Sequence, residues 1–237
     1  VAIAKQMPGI PVKLLWSREE DMLHGTYHPI TMAKMVGGLD KDGNLVGLHM
    51  RISGQSILSG VNPQALQNGR DPVVFQGLGP AGPEGHLGYT IPNILVDHAM
   101  RNPHVPPGFW RGVNLNQNAI YMECFMDELA HAAGVDPLEF RRRLMKDKPR
   151  HLAGLEAVAK GIGWGKQGEN GIFRGLAQIM GFGSYVAAAA EVSVSASGSI
   201  KVHRIVAATN PGHVVNPQQV AAQVEGSFVY GLSAALH

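Results

Sequence analysis

The segment Val105-Pro-Pro-Gly-Phe-Trp-Arg-Gly-Val-Asn-Leu-Asn-Gln117 sets one arginine between an indole and a glycine on a stiffened turn. Pro106 and Pro107 fix φ and lack N–H donors, while Gly108 and Gly112 let the backbone bend and approach a bound group. Arg111 then offers a cation and a fork of N–H donors to whatever lies in front of the loop. Local chemistry leaves a second reading open, in which Phe109 and Trp110 plug a core and Arg111 pairs with a surface carboxylate. Just downstream, Asn114, Asn116, Gln117 and Asn118 form an amide-rich patch where the loop enters a helix. Part of that patch is expected to cap the helix, whose N-terminus favours an anion.

Other chemistry-bearing side chains are sparse. The 11 histidines form no ligand cluster by spacing, and His203 and His213, each isolated, read as structural. The single Cys124 excludes an intrachain disulfide and any cysteine-held cluster within this sequence. Twenty basic and eighteen acidic residues leave a formal charge of +2, which argues against a nucleic-acid or anionic-membrane surface. Arg141 to Arg143 read as the solvated face of a helix. No apolar run is long enough to span a bilayer. At 237 residues and 45% hydrophobic content, the chain can build a substantial core in one large or two smaller domains.

The elements that must position the loop follow from periodicity and caps. Val12 to Trp16 reads as a strand, and Ile30 to Leu39 with Leu45 to Ile52 reads as a hairpin around Asp40-Lys-Asp-Gly-Asn44. Residues 54 to 88, rich in Gly, Pro and Gln, read as a long loop serving a substrate funnel or a subunit contact. An apolar stripe from Asn116 to Gly134 predicts a helix. Asp136-Pro-Leu-Glu139 starts a second through Met145, and His151 to Lys160 gives a third. Gly165 to Gly171 marks a boundary, after which strands are expected over 172–181, 185–194 and 200–208. The alanines of 187–190 favour helix by propensity and weaken the middle strand. Asn216-Pro217 starts a last helix running to about Leu236, with Gln223 inside it. An amide such as Gln223 can donate and accept at once, although a solvent-facing glutamine is the plain alternative. The fold class is therefore α+β in two lobes, residues 1–165 and 166–237.

Gly108-Phe-Trp-Arg-Gly-Val-Asn114 resembles the arginine loop of the molybdenum hydroxylases, the xanthine dehydrogenase and aldehyde oxidase family, in its isoquinoline 1-oxidoreductase branch. Four further segments match in the family's order. Pro11 to Met22 resembles a strand and acidic turn, whose Glu19, Glu20 and Asp21 are expected to cap local structure. Tyr89 to Ile94 resembles a short strand, and Asp136 to Arg143 a helix start. Asn216 to Gly226 resembles a cofactor-binding helix. The resemblance implies a subunit holding a molybdenum-pterin cofactor, of the cytosine dinucleotide kind, contacted by Phe109, Trp110, Arg111, Gly112 and Gln223. The pterin's sulfurs would hold the metal, so no direct protein ligand is expected. Glu225 is expected to pair structurally. The implied reaction oxidises an aldehyde or N-heterocycle with oxygen from water, and Arg111 and Gln223 orient the cofactor. Electrons would leave through a small subunit carrying [2Fe–2S] clusters, with a cytochrome or flavin subunit as a further partner. The resemblance also favours a periplasmic over a cytoplasmic location.

Departures from the family pattern bound these expectations. Val113 stands where purine-oxidising members have a phenylalanine, so xanthine is not implied as substrate. No catalytic base is assignable, because the family's glutamate is expected beyond His237. The family's glycine-rich loop is expected before residue 1, so both ends read as cut from a longer polypeptide that supplies the remaining segments. The alternative is a catalytically inactive fragment or subunit-interaction module of the same fold. It predicts an open apolar surface in front of Arg111.

Overall fold

The computed structural model describes residues 1–79, 85–166, 168 and 170–237. Parts of the expected 54–88 loop and of the 165–171 boundary lie outside the described residues. The elements run α1 (Ala2–Lys5), α2 (Arg18–His24), β1 (Thr31–Leu39), β2 (Leu45–Gly54), α3 (Ile57–Val61), β3 (Ile94–Met100), α4 (Leu115–Ala132), α5 (Pro137–Leu144), α6 (Pro149–Ile162), β4 (Phe173–Gly181), β5 (Ser184–Val194), β6 (Ile200–Asn210) and α7 (Pro217–Leu236). Helices and sheets are mixed as the α+β reading expects.

Among the described residues the strands form two three-stranded sheets. In the first, β1 and β2 are the antiparallel hairpin, and β3 joins β2 in parallel from Leu48↔Ile94 to Gly54↔Met100. The second is an antiparallel meander, β4-β5-β6, with Ala187 to Ala190 in the middle strand. These alanines stay extended because Ala187 and Ala189 are buried on alternate positions, so burial at period two overrides helix propensity. One continuous core runs from Leu48, Met50 and Ile52 of β2 through Met122 and Met126 of α4 and Leu155 of α6 to Leu176 of β4. It covers the first sheet with α4 and the second with α6.

The caps fall where the residue types put them. Asp136 Oδ1 accepts from the backbone N–H groups of Leu138 and Glu139, and Asn216 Oδ1 from those of Gln218 and Gln219. At α2 the cap is Ser17, whose hydroxyl accepts from Glu20 N, rather than the acidic residues that follow it.

Four expectations need correction. Val12 to Trp16 is exposed and forms no strand, because no neighbouring strand pairs with it. The strand near residue 90 is Ile94–Met100, not Tyr89 to Ile94. The 54–88 region is in part core, since Ile57, Leu58 and Val74 are buried and α3 sits inside it. Finally, Arg141 is fully buried rather than on a solvated face.

Arg141 organises the junction between the two sheets. Its Nε donates to Glu123 Oε2 and to the Tyr89 hydroxyl, both at 3.1 Å, and its Nη1 donates to Asp127 Oδ1 at 2.6 Å. Tyr89 donates to Glu123 Oε1 at 2.6 Å, and Gln178 of β4 donates to the same oxygen at 3.0 Å. The Gln178 carbonyl in turn accepts from His151 Nδ1 of α6 at 2.6 Å. Burial pushes the Glu123 carboxyl above the ordinary carboxylate range, against the pull of Arg141.

His151 ends this hydrogen-bonded network with its Nε2 buried and without a partner among the described residues. Burial holds its pKa below the ordinary 6.5, so the ring is neutral in the fold. Below that value the unfolded chain binds the proton more readily than the folded one. The contribution is therefore intact above about pH 6.5 and is lost as the pH falls through the depressed folded value. Urea midpoints measured from about pH 7.5 down to about pH 5 are expected to fall, and to fall less in His151→Asn. Parallel pH profiles would remove His151 as the cause.

Candidate functional site

The arginine loop is held from three sides. Gln55, itself 2% exposed, accepts from Ile30 N and donates to the Val105 carbonyl at 2.7 Å, which anchors the loop's start. Tyr27 N donates to the Pro106 carbonyl, and Gly108 N donates to that of Tyr27 at 2.9 Å. Gly108 must be glycine here, because a Cβ would collide with the Thr26 side chain. His28 Nε2 lies 3.0 Å from the Val113 carbonyl.

Past Trp110 the backbone turns through two left-handed residues, Gly112 at φ 71° and Val113 at φ 53°. Glycine adopts this freely, but a β-branched residue there is strained. The turn closes with Val113 N donating to Trp110 O at 3.0 Å and Leu115 N to Gly112 O at 2.9 Å. Asn116 Nδ2 donates to the Arg111 carbonyl at 2.7 Å. The amide-rich patch does not cap α4 with its side chains. Instead Asn114 donates to Val73 O, and Asn118 donates to Val74 O and Gln76 O, tying the 73–76 segment to the start of the helix.

This turn faces α7. Trp110, Arg111, Gly112, Asn116 and Ile120 form one wall of a cleft of ≈ 440 Å³, and Ser227, Tyr230, Gly231 and Ala234 form the other. That size lies within the range of small-ligand sites. The Arg111 guanidinium sits 4.8 Å from the Tyr230 ring centroid, and Trp110 meets the same ring edge-on at 6.4 Å. Among the described residues Arg111 forms no ion pair, so the surface salt bridge of the alternative reading is not found there. Nor do Phe109 and Trp110 plug a core, being 58% and 42% exposed. What the geometry offers is a planar cation, without a carboxylate partner among the described residues, beside aromatic faces and a glycine backbone, suited to a flat, anionic ligand.

Gln223 is exposed and lies seven residues before Tyr230 on α7. Seven residues is close to two turns, so it shares the face of Ser227 and Tyr230, about 10 Å from Tyr230 along the axis. It is not in the cleft wall. Glu225 is exposed and lines the groove against β6 with Phe228, and among the described residues it lacks the structural ion pair expected for it. His203 Nε2 is satisfied by the Ser193 hydroxyl at 2.7 Å. No group of His, Cys, Asp or Glu among the described residues could hold a metal. No helix among them is long and apolar enough to cross a membrane. Tyr230 and His28 are not legible as site residues in the sequence; the one signal that could have found Tyr230 is its spacing of seven residues from Gln223 on the same helix.

The chain is 27% identical over 233 residues to the beta subunit of isoquinoline 1-oxidoreductase from Brevundimonas diminuta, matching 96% of this chain and 29% of that protein. It is 29% identical over 250 residues to a subunit of nicotinate dehydrogenase from Pseudomonas putida, matching 95% of this chain and 20% of that one. It thus spans less than a third of the length of either curated relative. The fold resembles that of quinoline 2-oxidoreductase from Pseudomonas putida 86, with a TM-score of 0.50 and 20% identity over 78% of this chain and 25% of that one. Residues 1–145 and 126–237 each match a molybdopterin cofactor-binding domain, and the chain belongs to that family.

Proposed function

We propose that the cleft between the arginine loop and α7 receives the molybdenum-pterin cofactor. Trp110, Arg111 and Gly112 stand on one side, exposed Phe109 precedes them outside the cleft wall, and Gln223 lies on the approach along α7. The observation that carries this is the Arg111 guanidinium, which stands in a cleft of suitable size with an aromatic neighbour and no carboxylate partner among the described residues. The residues fit the group. Gly112 has to be glycine, since at φ 71° a Cβ would strike the Asn116 amide that donates to the Arg111 carbonyl, so the glycine keeps the turn that presents Arg111 to the cleft. Arg111 matches phosphate or oxo groups, and Trp110 and Tyr230 offer faces to a planar ring.

When bound, the cofactor supplies two-electron oxidation of a carbon with oxygen from water. The chain's own part is to bind and orient it. In this reading residues 1–165 and 166–237 are two cofactor-binding lobes. The whole protein oxidises an aldehyde or N-heterocycle; the relatives named for isoquinoline and nicotinate support the N-heterocycle. We assign no catalytic base. Glu123, the buried glutamate, is engaged by Arg141, Tyr89 and Gln178 and lies away from the cleft. The cytosine dinucleotide form and a [2Fe–2S] partner chain rest on family resemblance. Lone Cys124 is consistent with clusters held elsewhere. A periplasmic location rests on the same resemblance.

The rival, an interaction module without cofactor, called for an open apolar surface before Arg111. The family match, and a cation with no ion-pair partner among the described residues, speak for the cofactor instead. Elemental analysis and pterin assay on full-length protein purified from its own host test the reading. Stoichiometric molybdenum and pterin are expected, and their joint absence would contradict it.

A further inference from the structure

We propose that His28 is a positioning residue for the arginine loop, holding the left-handed Gly112–Val113 turn in the conformation that aims Arg111 into the cleft. This rests on the cofactor reading above and adds a residue to it. Val113 is the strained point of the loop, a β-branched residue at φ 53°, one residue past Gly112 and two past Arg111. Such a conformation persists only where its surroundings over-determine it.

His28 supplies that constraint from 85 residues away. Both ring nitrogens face carbonyl oxygens, which only accept, Nε2 that of Val113 at 3.0 Å and Nδ1 that of Pro29 at 3.2 Å, and with its proton on Nε2 the ring donates along the shorter contact to Val113. The half-buried ring also meets Trp110 edge-on, with centroids 5.7 Å apart and planes at 85°. One side chain therefore grips the residues on both sides of Arg111–Gly112. The contacts then continue from Trp110 to Tyr230 of α7, whose ring lies against the guanidinium. His28 needs no contact with the ligand to act. Its neighbours reinforce the hold, since Tyr27 pairs its backbone with Pro106 and Gly108, and buried Pro29 stiffens the segment.

The test uses full-length cofactor-loaded protein and measures molybdenum and pterin retained after dialysis, with urea unfolding as the check on folding. His28→Leu, which keeps bulk and loses the donor, is expected to lower retention about tenfold, while His28→Gln, which can still donate, restores most of it. Val113→Gly removes the strain that the histidine offsets. In the Val113→Gly background, His28→Leu should therefore cost little further retention. An equal loss from His28→Leu in both backgrounds, or no loss in either, overturns the positioning role. Arg111→Ala run alongside separates the two claims. If Arg111→Ala also retains full cofactor, the cofactor reading of the cleft fails. If it loses cofactor while His28→Leu does not, only the role of His28 fails.

Discussion

Replacing Arg141 with methionine is expected to destabilise the fold by about 3–5 kcal/mol, enough to unfold much of a marginally stable domain. The guanidinium is fully buried and donates to Glu123, Asp127 and the Tyr89 hydroxyl, so its loss leaves a buried carboxylate without a counter-charge. Gln178 and Tyr89 still donate to that carboxylate, but neither carries a charge. Urea unfolding is the measurement, read as a lower midpoint with unchanged slope. The deficit should shrink as the pH is lowered. Burial already raises the Glu123 pKa, removal of Arg141 raises it further, and protonation removes the stranded charge. A stability within about 0.5 kcal/mol of the parent would show that this junction is not what holds the sheets together.

Arg111→Ala is expected to do the opposite, leaving stability almost unchanged and removing the cofactor. The side chain is exposed, and its contact within the chain, over the Tyr230 ring, is worth about 0.5–1 kcal/mol at such a site. A charge-assisted contact with an anionic ligand is worth about 1.5–3 kcal/mol, so retention should fall roughly 10- to 100-fold. Arg111→Lys should fall between, because the charge stays but the planar fork is lost. Molybdenum and pterin per chain after extensive dialysis, beside urea midpoints, check both halves. Full retention in Arg111→Ala would remove the loop from the cofactor site.

What the sequence made legible follows from where the information is local. Helices α5 and α7 announce themselves through Asp136-Pro137 and Asn216-Pro217, because capping and proline chemistry act within a turn, and α4 through its apolar stripe from Asn116 onward. The β1–β2 hairpin is legible for the same reason, through Asp40 to Asn44. The arginine loop could be read as a ligand-facing turn, but Tyr230 and His28 could not be placed against it. They reach it from 119 residues downstream and 83 residues upstream of Arg111. Arg141 misled because three adjacent arginines read as solvated, and its burial depends on Glu123 and Tyr89, which only tertiary packing brings together. Val12 to Trp16 misled because a largely apolar run becomes a strand only where a partner edge exists.

The claim that the cleft between residues 110–112 and α7 is the cofactor site is tested most directly by a crystal structure of the cofactor-loaded, full-length protein. Pterin density is expected between Trp110, Arg111 and the α7 face bearing Gln223 and Tyr230, with the guanidinium or the Gly112 backbone in hydrogen-bond contact with it. Pterin density elsewhere, with Arg111 still stacked on Tyr230 and the cleft filled by solvent or by another segment of the protein, would contradict it.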